Sequence, residues 1–154
     1  MVDNIVLFFI LQAFPESLII TFVCFKLLNL YIEWKKIFII ALLETLTNII
    51  HFFPVAFGMH IVVLPLALAI YIRIFTKARL SKIFATVFLC LVVIAVIDGI
   101  TTPPMLSLFN ITFDEHRSSA VMRAIFSIPY YIALLLIPVV QKALEIRKNK
   151  KETQ

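Results

Sequence analysis

Four polar residues with helical spacing interrupt one of the most apolar parts of this chain. Glu44, Thr47, Asn48 and His51 are separated by three and four residues in the stretch ETLTNIIH. Side chains at these intervals lie on one face of an α-helix. A carboxylate, an amide and an imidazole on one face can bind a polar ligand, or they can hydrogen-bond to a neighbouring helix.

Three other segments repeat this pattern of polar residues on an apolar background. They are Gln12 with Glu16, Asp98 with Thr101 and Thr102, and Arg123 with Ser127, Tyr130 and Tyr131. Ionised groups inside a bilayer are costly, so they face the interior of a helix bundle and pair with one another. We expect Arg123 to pair with Asp98 or Glu16, and His51 to pair with a carboxylate.

The composition identifies the environment of these residues. The chain has 154 residues, of which 62% are hydrophobic and 15% are charged, and its mean hydropathy is +1.06. A soluble domain does not reach these values, so we interpret the chain as an integral protein of the cell membrane. Only two glycines leave little room for linkers, which favours a single domain over residues 1–154.

Continuous apolar runs predict the elements that position the polar residues. A helix needs about 20 apolar residues to cross a membrane, and five runs approach that length, near 5–29, 37–57, 60–76, 83–103 and 119–141. The predicted fold class is therefore all-α, a polytopic membrane helix bundle with about five transmembrane helices. At a rise of about 1.5 Å per residue, most of the polar groups fall in one layer between the middle and the outer surface of the membrane.

The distribution of Lys and Arg predicts the orientation of the bundle. Twelve basic residues, in and beside the first and third connections and in the C-terminal tail, fall on one side of the membrane, whereas the other side holds only Arg117 and Arg123. Cytoplasmic loops carry the excess of positive charge. We therefore expect the N-terminus outside and the C-terminus in the cytoplasm. The net charge of +5 is explained by this signal and by anionic lipids, so we expect no nucleic-acid partner.

The connection after the fourth span contains two prolines and an apolar segment. Pro103 and Pro104 cannot donate backbone hydrogen bonds, so we expect the helix to end there. Residues 105–118 are too apolar for a free loop and are expected to lie over the outer end of the bundle as a partial lid. The sequence DEHR at 114–117 is most simply a solvated charged patch.

Two interpretations of the polar layer are open. The first is an outward-facing pocket that binds a ligand, and the second is a set of hydrogen bonds that hold helices together. The second suits the Asn, Ser and Thr members, whereas the acidic residues and His51 favour a pocket. The predicted ligand-binding residues are Glu16, Asn48, His51, Asp98, Arg123, Ser127 and Tyr130, with Gln12, Glu44 and His60 in secondary positions.

The sequence contains no arrangement typical of a catalytic or metal site. It has no HExxH or GxSxG motif, and Glu44 and His51 are two helical turns apart, too far for a direct proton relay. Cys24 and Cys90 lie in separate apolar runs and are expected to be small buried side chains. We expect no enzymatic activity, no cofactor and no metal.

Several stretches resemble a known family of membrane sensors. FPES at 14–17, LLNLYIEWKK at 27–36 and FPVAFGMHIVVLPLAL at 53–68 resemble the N-terminal membrane domains of Agr-type histidine kinases of Firmicutes. The spacing of Pro54, Phe57, Gly58 and His60 is the most suggestive part. The resemblance implies a sensor of an extracellular signal, often a peptide, and a possible homodimer. Because the sequence contains no kinase segment before Gln154, we expect a stand-alone sensor that acts on a separate partner.

Two functions remain in competition. One is a non-enzymatic sensor that binds a small molecule or peptide and signals to a cytoplasmic or membrane partner, through the basic connections at 30–36 and 76–82. The other is a transport component that resembles the substrate-capturing subunits of energy-coupling-factor transporters. Those subunits usually have six spans, and the first helix here lacks a clear AxxxA interaction face. Membrane lipids are expected partners in both cases.

Overall fold

The computed structural model describes residues 2–49 and 59–152, and these residues form helices and short connections without a strand. The first helical segment contains α1 (Val2–Phe8), a π-helical turn (Phe9–Ala13) and α2 (Phe14–Leu27). In the π turn the amide of Phe14 donates to the carbonyl of Phe9, five residues earlier. Pro15 follows at the start of α2 and has no N–H to donate, so the wide turn falls where the regular α-helical pattern is already interrupted.

Five further helices follow. They are α3 (Trp34–Thr47), α4 (Met59–Phe75), α5 (Leu80–Phe109), α6 (Phe113–Ser118) and α7 (Ala120–Glu152). The connection after α2 contains Asn29, whose φ of 53° is left-handed, and the amide of Leu30 donates to the carbonyl of Phe25 at 2.9 Å. This arrangement closes the end of a helix and reverses the chain within a few residues.

Three of these segments are long and apolar enough to cross a membrane, as expected for a helical membrane protein. They are Ile5–Leu27, Leu80–Phe109 and Ala120–Lys148, and the region Val62–Phe75 forms a shorter apolar helix. Large apolar side chains such as Val62, Phe88 and Ile100 are about two-thirds exposed, which suits contact with lipid. The predicted second span, 37–57, overlaps α3, but its residues 50–57 lie outside the described part of the chain.

The helix of the fourth predicted span, α5, does not end at the two prolines, so the prediction that it would end there was wrong. α5 continues through Pro103 and Pro104 to Phe109. Proline removes a backbone donor but has a helical φ, so a long helix can pass through it with a local bend. The helix ends at Asn110, which has a left-handed φ of 51°. The first five residues of the predicted lid, 105–109, are therefore the last turn of α5.

The five longest helical segments pack in a closed ring. Each of the neighbouring pairs α2–α3, α3–α4, α4–α5, α5–α7 and α7–α2 is in contact, and α2 also contacts α5. The main apolar core includes Val23, Ile37, Ile72, Ile83 and Leu134. These residues lie toward the end of the bundle where α2 and α4 end and α3 and α5 begin, so the opposite end is left for polar side chains.

Candidate functional site

A cavity of about 500 Å³ lies between the helices at the end of the bundle that carries α6. Its apolar wall includes Phe8, Leu64, Leu91, Ile94 and Phe126. Its polar lining comes from four helices, α2, α5, α6 and α7, from the π turn and from Asn48, which directly follows α3. The polar lining residues are Gln12, Glu16, Asn48, Asp98, His116, Arg123, Ser127 and Tyr130.

A side-chain hydrogen bond at the cavity wall joins α2 to α7. The Tyr130 hydroxyl lies 3.1 Å from Glu16 Oε2 and 2.7 Å from Ser127 Oγ. The Ser127 hydroxyl in turn donates to the carbonyl of Arg123 at 2.7 Å. Because the Tyr130 hydroxyl carries one proton, it fully satisfies only one of its two acceptors at a time. A ligand that hydrogen-bonds to Glu16 would therefore change the hydrogen bonds that Tyr130 and Ser127 make on α7.

Asp98 is held by its own helix. The Thr102 hydroxyl, which is buried, donates to Asp98 Oδ1 at 2.7 Å. Thr101 instead donates to the carbonyl of Ile97 at 2.8 Å. Thr102 therefore orients the Asp98 carboxylate at the cavity wall, whereas the hydroxyl of Thr101 serves the backbone.

Arg123 contacts the first helix. Its guanidinium lies over the ring of Phe8, 4.6 Å from the ring centroid, in a cation–π geometry. Phe8, Ala13 and Ala120 form a small second apolar cluster. These contacts fix α1 and the π turn against the start of α7, and they position Gln12 and Glu16 at the cavity. The Tyr131 hydroxyl adds a bond of 3.3 Å to the backbone carbonyl of Gln12.

A smaller inner pocket of about 80 Å³ adjoins the cavity and shares Glu16, Asn48 and Leu64 with it. Glu44 lines this inner pocket and is only 6% exposed. Its Oε2 atom is buried and has no hydrogen-bond partner among the residues that the structure describes. An unpaired buried carboxylate oxygen is costly, so the inner pocket is a place where a donor would be favourable.

The short helix α6 contributes His116 to the cavity. Thr112 and Glu115 form a capping box, in which the Thr112 amide donates to Glu115 Oε2 at 2.8 Å, and these bonds lower the pKa of Glu115. The His116 ring packs on Phe126 with 4.6 Å between ring centroids. Burial lowers the pKa of His116, Asp98 opposes that shift, and Arg123 adds to it.

Six of the seven predicted ligand-binding residues line the same cavity, together with Gln12 from the secondary set. Glu44 lies in the inner pocket, and His51 and the side chain of His60 lie outside the described part of the chain. The assignment of all these residues to ligand binding stays a prediction. Thr47 does not line the cavity; its hydroxyl lies 2.9 Å from that of Tyr71, so it joins α3 to α4.

Sequence reasoning missed His116. The stretch DEHR was interpreted as a solvated patch, which is wrong for this residue because His116 is partly buried and lines the cavity. The signal in the sequence was the spacing between Phe113 and His116, which places both on one face of α6, where their ring centroids are 6.1 Å apart.

The described residues contain no group of three or more His, Cys, Asp or Glu side chains arranged to hold a metal ion. The cavity combines carboxylates, hydroxyls and aromatic rings, which are groups suited to orient an organic ligand. No protein-family model, curated protein or solved structure matches this chain.

Proposed function

We propose that this chain is a non-enzymatic multi-pass sensor of the cell membrane, which binds an external small molecule or peptide and signals to a separate partner protein. One observation carries the proposal. Polar side chains from α2, α5 and α7, including Glu16, Asp98 and Tyr130, converge on a cavity of about 500 Å³ inside a bundle whose outer surface is apolar. Buried ionisable groups in a membrane bundle are expensive and usually functional.

The proposed topology has five spans, with the N-terminus outside and the C-terminus in the cytoplasm. In this orientation the cavity and α6 lie toward the outside, and α3 and α4 cross the membrane as the second and third spans. The basic residues near the opposite end support this direction. The proposal is in keeping with the resemblance to the membrane domains of Agr-type sensors.

The same helices that line the cavity lead to the opposite end of the bundle. There the connections after α2 and α4 border a groove of about 400 Å³, lined by Tyr31, Glu33, Lys36 and Lys77 among others. Tyr31 is 83% exposed, and Lys36 bonds to Glu33 at 2.7 Å. We propose this groove as the surface that a cytoplasmic partner contacts. A movement of α2 against α7 at Glu16 would be transmitted to it through the rigid helix.

Affinity purification from the native membrane tests this proposal. The tagged protein is recovered in mild detergent, and the co-purifying chains are quantified by mass spectrometry. We expect a kinase or a transcriptional regulator, and we expect the charge reversal Lys77→Glu to reduce its recovery. Lys142→Glu, which changes an exposed lysine outside the groove, is the matched control and should leave recovery unchanged.

Other outcomes of the purification would contradict the sensor proposal. Recovery of an ATPase with a transmembrane coupling subunit would assign the cavity to transport. Formation of a product by the purified protein alone would make the chain an enzyme.

A further inference from the structure

The cavity and its inner pocket bring together three carboxylates from three helices. Glu16 on α2 and Asp98 on α5 line the cavity, and Glu44 on α3 lines the inner pocket beside Glu16. The charge of Asp98 acts on Glu16, and that of Glu16 acts on Glu44, so Glu16 is repelled by both of the other carboxylates when they are ionised. Among the described residues that line the cavity, the basic side chains are Arg123, which lies over Phe8, and His116, whose lowered pKa favours the neutral ring.

The inner pocket is lined by a buried carboxylate oxygen that accepts no hydrogen bond from the described residues. Glu44 is 94% buried, since its exposed fraction is 6%, and Oε2 has no partner within the described part of the chain. The amide of Asn48 donates to the backbone carbonyl of Glu44 at 3.0 Å, so it is not directed at this carboxylate. A positively charged donor would satisfy Oε2 and reduce the repulsion between Glu44 and Glu16.

The sizes of the two spaces restrict the shape of the ligand. The inner pocket, about 80 Å³, is larger than the roughly 30 Å³ that one water molecule occupies in the liquid, and it fits a compact ammonium group. The adjoining cavity of about 500 Å³ is walled by Phe8, Leu91 and Phe126, which suits an apolar or aromatic body. Aromatic rings also stabilise a nearby cation.

We propose that the ligand is a monovalent organic cation, whose ammonium group binds between Glu16 and Glu44 and whose apolar body lies against Phe8, Leu91 and Phe126. The inference rests on the proposed function, because it names the class of ligand that the same cavity binds. It explains why carboxylates outnumber cationic side chains among the described residues of the site.

Thermal unfolding with a thiol-reactive dye tests the inference on the purified full chain. Cys24 and Cys90 are the only cysteines, and both are fully buried, so the dye reports unfolding. The probe is 2-phenylethylammonium, compared with 3-phenylpropionate and 2-phenylethanol, which have a similar body but a negative or neutral head. We expect a saturable rise in Tm with the ammonium compound only.

Variants locate the bound cation. Glu44→Gln should weaken the response to 2-phenylethylammonium at least tenfold, measured as the concentration that gives half of the maximum shift. Each variant is compared with its own ligand-free Tm, so a change in stability does not imitate a loss of binding. Glu145→Gln removes an exposed carboxylate on α7 that bonds to Gln141, and it should respond like the wild-type protein.

Several outcomes would overturn the inference. A saturable shift with phenylpropionate or phenylethanol that Glu16→Gln removes would leave a ligand-binding cavity but contradict a cationic ligand. A saturable shift in Tm when Na⁺ replaces K⁺ in the buffer would assign the inner pocket to an inorganic ion. The absence of any shift with phenylethylammonium and with methylammonium would contradict the ammonium site, while recovery of a signalling partner would still support the proposed function.

Discussion

The hydroxyl of Tyr130 lies 3.1 Å from the carboxylate of Glu16, although 114 residues separate them in the chain. This contact crosses from α7 to α2 inside the bundle, and it lies at the wall of the cavity. It therefore links two helices and also holds a carboxylate that we propose binds the ligand.

Tyr130→Phe should reduce both stability and ligand response. The variant leaves Glu16 without this donor and should destabilise the protein by about 1–3 kcal/mol, measured as a lower Tm. Tyr71→Phe is the matched control, because Tyr71 makes an interhelical hydrogen bond to Thr47 at 2.9 Å outside the cavity. The control should lower Tm but keep the ligand response. Equal loss of response in both variants would mean that the response follows stability alone.

Glu16→Gln and Asp98→Asn should separate a ligand pocket from a set of helix-joining bonds. Each amide keeps the shape of the side chain and removes its charge. We expect both variants to insert and fold, judged by a single symmetric peak in size-exclusion chromatography, and to bind phenylethylammonium at least tenfold more weakly. If both variants instead fail to fold, the polar layer mainly holds helices together.

Cys24 and Cys90 test the packing of α2 against α5. The two thiols lie close enough in the core for each to affect the other, and both are buried and form no disulfide. We expect mild oxidation in the membrane to join them, so that a maleimide polymer no longer shifts the denatured chain on a gel until reductant is added. The single variant Cys24→Ser should remain labelled at Cys90 after the same treatment. Full labelling of the oxidised wild-type protein would contradict this packing.

Asn29 tests the turn between α2 and α3. Its φ of 53° is easy for glycine and costs a β-branched residue roughly 1–2 kcal/mol. Asn29→Gly should keep or slightly raise Tm, whereas Asn29→Val should lower it. The same Tm for both variants would mean that the backbone at this position is not left-handed.

The lowered pKa of His116 predicts that this residue contributes less stability at acidic pH. Its pKa is lowered from 6.5 in the folded protein, chiefly by burial, so the folded state favours the neutral ring. The associated stability is complete above pH 6.5 and is lost as the pH falls through the lower folded-state pKa. As the pH is lowered from neutral to below 6.5, the wild-type protein should therefore lose stability relative to His116→Gln, measured as a change in the Tm difference between the two proteins.

Glu115 offers an internal check on the pH experiment. Its pKa is lowered from 4.5 by hydrogen bonds from Thr112, so its contribution is complete above pH 4.5 and is lost below that value. The two residues therefore act in different pH ranges. An unchanged pH profile in His116→Gln would show that the ring does not titrate in this way.

The helical fold and the convergence of polar residues could be predicted from the sequence because both follow from periodicity. The spacing of Glu16, Asp98 and Tyr130 on separate apolar helices was enough to expect one layer, and they do line one cavity. The partners of individual side chains could not be predicted. The Arg123 guanidinium lies over Phe8, a contact that depends on how α1 packs against α7.

The end of α5 shows a second limit of sequence reasoning. Proline is a strong signal for a helix boundary, but its effect depends on whether the surrounding structure compensates for the missing hydrogen bond. Here the helix continues past Pro103 and Pro104 to a left-handed Asn110. A left-handed asparagine sometimes ends a helix in place of the usual glycine, but the sequence alone does not rank it above a pair of prolines.

The central claim is that an external signal acts through this cavity. Native host cells that lack the chain should be complemented with the wild-type protein, Glu16→Gln or the control Glu145→Gln, at equal abundance in the membrane, and exposed to spent culture medium. We predict that the wild-type and control proteins restore a set of transcripts and that Glu16→Gln does not. Full restoration of these transcripts by Glu16→Gln would contradict the claim.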